Sequence, residues 1–265
     1  MLGAITGDII GSVFEFNNIK STVFPLITNE SDFTDDTVLT VATADCILNN
    51  GDYSDLYRKY YRKYPGRGYG RRFQEWGSSD SLGPYNSFGN GSAMRVSPVG
   101  FAFNKIEEVL IEAKKSAEAT HNHPEGIKGA QAVASCIYLT REGKKKKEIK
   151  EYIISNFNYD LNDTLDNRRL EYTFDETCQG SVPQAIIAFL ESNDYEDAVR
   201  KAISIGGDSD TIACITGGIA EAYYGGVPED IKSKVLLKLD EDMLEVIFKF
   251  YDNLITTLNK SLKHF

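Results

Sequence analysis

Two short acidic clusters stand far apart in the chain, Thr34-Asp35-Asp36-Thr37 near its start and Asp208-Ser209-Asp210-Thr211 near its end, each just ahead of an apolar helical run. Carboxylates and hydroxyls are the donors that Mg2+ and similar hard cations take, in near-octahedral sets that draw on several parts of a fold. One such cluster alone reads as helix capping, because Thr or Asp at a helix start accepts free backbone N–H groups and offsets the helix dipole. A cap needs only one carboxylate, however, and adjacent carboxylates repel. Two clusters of the same kind therefore suggest a split metal site, in which a bound cation removes the repulsion. Gly206 and Gly207 precede the second cluster and let the backbone turn sharply close to a ligand.

Other residues could complete such a site. Asp8 and Glu15 are seven positions apart and share a helix face if the first helix persists that far. Glu15 sits between Val13-Phe14 and Phe16, where a carboxylate has a partner or a raised pKa, so it is expected as a metal ligand or an acid/base. The run Asn86-Ser87-Phe88-Gly89-Asn90-Gly91-Ser92-Ala93-Met94-Arg95 reads as an anion cradle. Its Gly and Ser residues leave N–H groups unobstructed, and a helix starting near Ala93 would aim its positive end at the same place. Ordinary turns use the same residues, and the position of the run within an irregular stretch, 65–98, is what favours function. His121 and His123 lack a third nitrogen or sulfur ligand at useful spacing, so hydrogen bonding or capping is expected of them rather than zinc. No P-loop lysine, dinucleotide-binding GxGxxG or nucleophile elbow is present.

The elements that must position these groups are helices. Residues 37–48 carry apolar residues at helical spacing, with acids at the head and Asn49-Asn50-Gly51 at the tail. Further helices are expected over 52–64, 106–119, 126–139, 145–156, 183–190, 194–205 and 210–224, with two or three more after Pro228. Only 21–27 carries a strand signal, and a weak one. Gly3, Gly7 and Gly11 fall on one helix face, with Ala213, Gly217 and Ala220 similarly arranged later. Glycine inside a helix costs about 1 kcal/mol against alanine, so such a stripe points to close approach of two helix backbones. The expectation is an all-α fold, a single compact orthogonal helical domain over 1–265 with a binuclear metal site in a cleft.

Bulk properties exclude several classes. With 42% hydrophobic and 26% charged residues the chain is neither disordered nor membrane-like, and no apolar run reaches the length of a bilayer span. The start of the sequence has no basic leader, which reads as cytoplasmic. A net charge of -10 argues against nucleic acid binding through phosphate neutralisation, yet leaves room for a small anion held by helix N-termini, glycine-loop N–H groups or cations. Cys46, Cys136, Cys178 and Cys214 form no CxxC pair and read as small core residues. The lysine run 144–147 reads as a solvated helix end.

Five blocks, in order, resemble the ADP-ribosylglycohydrolases: Gly7 through Glu15, Thr34-Asp35-Asp36-Thr37, Tyr85 through Arg95, Thr120-His121, and Gly206-Gly207-Asp208-Ser209-Asp210-Thr211. The resemblance spans about residues 3–225. It implies an all-α fold with two Mg2+ (or Mn2+) ions and hydrolysis of the bond between ADP-ribose and an acceptor, either a modified protein or a small-molecule conjugate. By position, Thr34, Asp35 and Asp36 would bind one metal, Asp208 and Thr211 the other, and Asp210 both. Glu15 matches the family glutamate at the metals, and Glu15 and Asp36 are the catalytic candidates. Asn86, Ser87, Phe88, Gly89 and Gly91 would line the diphosphate and ribose, with His121 near the ligand, and 178–183 resembles a stretch near the adenosine. Arginine-linked ADP-ribose is slightly favoured over serine-linked or small-molecule conjugates. A non-catalytic ADP-ribose binding module is the rival from another class, and a metal-dependent phosphoesterase is a further reading open to a two-metal carboxylate site.

Overall fold

Gly3, Gly7 and Gly11 decide what the first helix lies against. A Cβ on Gly7 would stand 2.0 Å from the carbonyl oxygen of Ala213, one on Gly3 2.3 Å from that of Gly217, and one on Gly11 2.5 Å from the Cα of Asp210. The stripe is therefore a packing surface, and it carries the end of the first helix onto the start of the helix that begins at Ser209. The protein, a computed structural model, is described over residues 1–262, so the expected span 1–265 is seen to residue 262 and residues 263–265 lie outside the described part.

The chain is all-α. Its helices run α1 (Leu2–Gly11), α2 (Asp35–Asn49), α3 (Tyr53–Lys63), α4 (Arg71–Gly77), α5 (Gly91–Met94), α6 (Ser97–Ala102), α7 (Ile106–Glu118), α8 (Pro124–Arg141), α9 (Lys146–Phe157), α10 (Leu165–Glu171), α11 (Cys178–Leu190), α12 (Tyr195–Ser204), α13 (Ser209–Tyr224), α14 (Glu229–Leu236) and α15 (Glu241–Leu262). Buried from Ser209 through Glu221, α13 is the helix around which α1, α8, α11 and α12 pack. Among the described residues no helix is long and apolar enough to cross a membrane.

Side chains at helix starts account for several boundaries. Thr34 caps α2 by accepting from the Asp36 amide, and Thr177 caps α11 by accepting from that of Gly180. The second cap starts α11 five residues before the expected 183, leaving Pro183 inside the helix. The His123 ring accepts from the Glu125 amide and caps α8 ahead of Pro124. Two short helices, α4 and α5, lie in the 65–98 region expected to be irregular, and a third, α6, begins at its end; each is too short to show a hydrophobic period.

Two expectations fail. The 21–27 segment forms no strand, and no strand forms among the described residues; one isolated antiparallel bridge joins Gly89 and Thr177. With no neighbouring strand to pair, the segment is held by Arg200, which donates to the carbonyls of Thr22 and Phe24, and by the Phe14–Phe24 ring contact. Nor does the first helix carry Asp8 and Glu15 on one α-helical face. It ends at Gly11, and a 3-10 turn over Ser12–Phe14 tightens the chain and re-aims Glu15.

Candidate functional site

The starts of α2 and α13 meet the end of α1 at one cleft of about 310 Å3. Glu15, Asp35, Asp36, Asp208, Asp210 and Thr211 line one end of it, and Ser87, Gly89, Gly91 and His121 the other. Two overlapping groups of carboxylates form at the acidic end. Oxygens of Asp8, Asp36 and Asp210 lie within 4.8 Å of one another, as do oxygens of Glu15, Asp208 and Asp210. Asp210 belongs to both. Asp36 Oδ1 is buried without a hydrogen-bond partner, while its Oδ2 accepts from the Thr211 hydroxyl at 3.2 Å. Such a set could hold metal ions, since it offers only oxygens and leaves at least one of them unsatisfied.

Asp8 differs from the others. Its carboxylate accepts from the amide and hydroxyl of Thr34 at 3.0 and 2.7 Å, and from the amide and hydroxyl of Thr37 at 3.1 and 2.5 Å. With three of these bonds on Oδ2 and one on Oδ1, Asp8 anchors the start of α2 to α1 and does not line the cleft. Thr34 sits behind the cleft: its hydroxyl donates to Asp8 and accepts from the Asp36 amide, leaving one lone pair. Asp35 is reached by a second loop, since its amide donates to the Arg67 carbonyl at 2.7 Å and Gly68 packs on its side chain.

Burial and repulsion push Asp8, Glu15, Asp35, Asp36 and Asp210 upward. Burial comes first for Asp35, Asp36 and Asp210, followed by repulsion from neighbouring aspartates, and it leaves all three well above the ordinary carboxylate range. Asp8 is raised by burial to about 6, with the threonine hydrogen bonds pulling the other way. Glu15 is pushed up to about 7 by burial and then by Asp208, Asp8 and Glu176.

The loop ahead of α13 is bent for this purpose. Gly206 and Gly207 take φ of +74° and +77°, and a Cβ on Gly207 would meet the Tyr172 ring at 2.4 Å. Asn18 clamps Gly207, donating to its carbonyl at 2.9 Å and accepting from its amide at 2.5 Å. The segment carrying Glu15 is thereby tied to the one carrying Asp208.

At the other end the glycine loop is braced by its neighbours. The amides of Tyr85 and Ser87 donate to the Thr120 carbonyl, and the Gly89 amide to the Ser87 hydroxyl. His121 Nε2 stands 3.1 Å from where a Cβ on Gly91 would lie. Asn86, at φ 54°, and Phe88, 44% exposed, belong to this loop but do not line the cleft; the Phe88 ring lies against His123.

Sequence reasoning passed over several cleft residues. Asn90 donates to Asp208 and Ser181, Glu176 lines the wall beside Asp208, and Gly68, Gly70, Arg71 and Arg72 enter from the start of α4. Asn90 stood inside the quoted glycine motif and was available as a side-chain donor. Glu176 carried no motif signal, because the Gly89–Thr177 bridge that brings it here joins distant parts of the chain.

Helix starts that gather carboxylates over a glycine-lined cleft define an all-α protein with the donors to take up cations and an anionic ligand together. The chain belongs to the ADP-ribosylglycohydrolase family, whose sequence profile matches residues 1–259. It is similar to the human ADP-ribosylhydrolase ARH3, at 27% identity over 86% of each chain. It is also similar to the ADP-ribosylarginine hydrolase Tri1 of Pseudomonas putida (strain GB-1), at 24% identity over 89% of this chain and 72% of the relative. A solved chain of an ADP-ribosylglycohydrolase-related protein complex superposes with a TM-score of 0.70, covering 96% of this chain and 97% of the other at 24% identity, and shares the fold.

Proposed function

We propose that the chain is a metal-dependent hydrolase that removes ADP-ribose from a modified acceptor. It works as one domain, with Thr34, Asp35, Asp36, Asp208, Asp210 and Thr211 holding two divalent cations, Mg2+ or Mn2+. The observation that carries this reading is the place of Asp210 in both acidic groups of a cleft whose far wall is a glycine loop. Four buried free cysteines suit a reducing compartment, and we place the protein in the cytoplasm.

In the proposed reaction a water oxygen joins the anomeric carbon of the ribose, while the bond from that carbon to the acceptor breaks and the acceptor departs with the electron pair and a proton. Cations held by the aspartates would supply positive charge that grips the ribose hydroxyls and stabilises charge developing there. Glu15 is the acid/base, taking the proton from the water or giving one to the leaving atom. Asp36 assists it by holding the acidic end in register through the Thr211 hydroxyl. Ser87, Gly89 and Gly91 leave room for the diphosphate near His121.

An arginine linkage is favoured among acceptors. Glu15 and Glu176 both face the cleft, neither is ion-paired among the described residues, and a departing guanidinium is a cation. The deciding assay measures ADP-ribose release from arginine-linked and serine-linked peptides with Mg2+ and with chelator, for the wild type and Glu15→Gln. Release that needs metal and is lost in Glu15→Gln, with ADP-ribose binding kept, is the expected result. Binding without release from either substrate would instead make the chain a recognition module.

A further inference from the structure

Arg95 is fully buried and lines the cleft, yet no carboxylate pairs with it among the described residues. Its guanidinium lies over the Tyr57 ring, 4.1 Å from the centroid, and its Nη2 donates at 2.9 Å both to the Ser116 carbonyl and to the Thr120 hydroxyl. Its Nε and Nη1 are buried without partners. Beyond Thr120 the chain of contacts continues toward the cleft. The Thr120 hydroxyl is 2.7 Å from His121 Nδ1, and His121 Nε2 faces the glycine cradle, 3.1 Å and 3.6 Å from where Cβ atoms on Gly91 and Gly89 would stand.

A guanidinium only donates, so the Thr120 oxygen accepts from Arg95; its own proton lies near the Tyr85 hydroxyl as well as His121 Nδ1, and the ring nitrogen, at 2.7 Å, is the acceptor assigned to it. An Nδ1 that accepts leaves the ring proton on Nε2. We propose that Arg95, acting through Thr120, is a positioning residue that keeps His121 neutral with its proton on Nε2, so that this nitrogen donates to a phosphate oxygen seated between Ser87, Gly89 and Gly91. Naming the acceptor as phosphate rests on the ADP-ribose reading above; the tautomer does not.

The surroundings oppose a second positive charge on the ring. Burial comes first in holding the His121 pKa well below the ordinary histidine value, followed by the guanidiniums of Arg95 and Arg72. The groups that face the ring are Arg72 from α4, Tyr85 from the loop, whose ring lies 6.0 Å away, and Arg95 at the end of α5. A neutral donor fixed in this way keeps its proton across neutral and mildly acidic pH, whereas an ordinary histidine would change charge near about 6.5. Thr120 also serves the cradle directly, through its carbonyl bonds to the amides of Tyr85 and Ser87.

The test reads the ring and the ligand separately. Long-range 1H–15N spectra of the full-length protein with Mg2+ should show His121 neutral with Nε2–H, and unchanged as pH falls through about 6.5. Thr120→Val should mix the tautomers and weaken binding of ADP-ribose and of pyrophosphate by about tenfold, with the catalytic loss falling on KM more than on kcat. Thr120→Ser, which restores the hydroxyl, should restore both, and thermal unfolding of the two variants controls for folding. A ring protonated on Nδ1, a cationic ring at neutral pH, or equal losses in Thr120→Ser and Thr120→Val would overturn the proposal. The stated tautomer with no binding of ADP-ribose or pyrophosphate would overturn the phosphate assignment and the proposed function together, and leave only the ring tautomer set through Thr120.

Discussion

The side-chain amide of Asn90 donates to Asp208 Oδ2 at 2.6 Å and to the Ser181 hydroxyl at 2.9 Å, so a residue of the glycine loop orients a carboxylate of the acidic end. Its backbone amide donates to the Glu176 carbonyl at 2.7 Å, which fixes the side chain from a third side. Outer-shell partners of this kind set ligand direction, and their loss typically costs about 10- to 100-fold in metal affinity or activity. Asn90→Ala should therefore raise the Mg2+ concentration needed for half-maximal ADP-ribose release by about that factor while leaving the helical circular dichroism unchanged. A Mg2+ dependence like that of the wild type would show that Asp208 is held without Asn90.

The two acidic clusters were legible because helix-start grammar and like-charge repulsion are both local. What joins them is not local. Glu15 reaches Asp208 and Asp210 through a 3-10 turn and the Asn18–Gly207 clamp, which no periodicity encodes. Asp8 could be seen as an acid in an apolar helix, but its four donors come from Thr34 and Thr37 across a tertiary contact. The glycine stripe was readable as a packing face, and its partner α13 was not. Four-residue and seven-residue helices such as α5 and α4 are shorter than the window a hydrophobic period requires.

Asp8 and Asp210 sit in one acidic group and should respond oppositely to neutralisation. Asp8→Asn places an NH2 among four donors, so the start of α2 loses acceptors and gains a donor facing donors. The expected cost is about 3 kcal/mol in chelator, read by denaturant unfolding. Asp210→Asn removes a buried charge that Asp208 and Asp36 repel, and keeps an oxygen for the Thr211 amide. It should stabilise the metal-free protein while abolishing metal-dependent release. Loss of stability in Asp210→Asn would mean that its charge is already compensated.

Gly7→Ala tests the contact that aligns α1 with α13. The added methyl would lie 2.0 Å from the Ala213 carbonyl oxygen and 2.8 Å from the Cys214 amide nitrogen, both backbone atoms that no rotamer change can move. The helices must separate, at a cost of about 3 kcal/mol, near the top of the usual range for overpacking. Because α1 leads to Glu15 and α13 begins with the second cluster, release should fall further than the unfolded fraction alone explains. Unfolding curves and activity measured on the same samples give that comparison.

Glu176 should set the choice of acceptor. It lines the cleft beside Asp208 and Glu15, its backbone is pinned to the glycine loop by the Asn90 amide, and burial followed by repulsion from Asp208 and Asp175 raises its pKa. A guanidinium leaving group would relieve that repulsion, whereas a serine hydroxyl would not. Glu176→Gln is isosteric and removes only the charge, so kcat/KM for arginine-linked ADP-ribose should fall about tenfold, the loss of one charge-assisted contact. Serine-linked substrate should change much less. Equal losses on the two substrates, measured side by side at saturating Mg2+, would place Glu176 against the ADP-ribose common to both and remove the argument for an arginine acceptor.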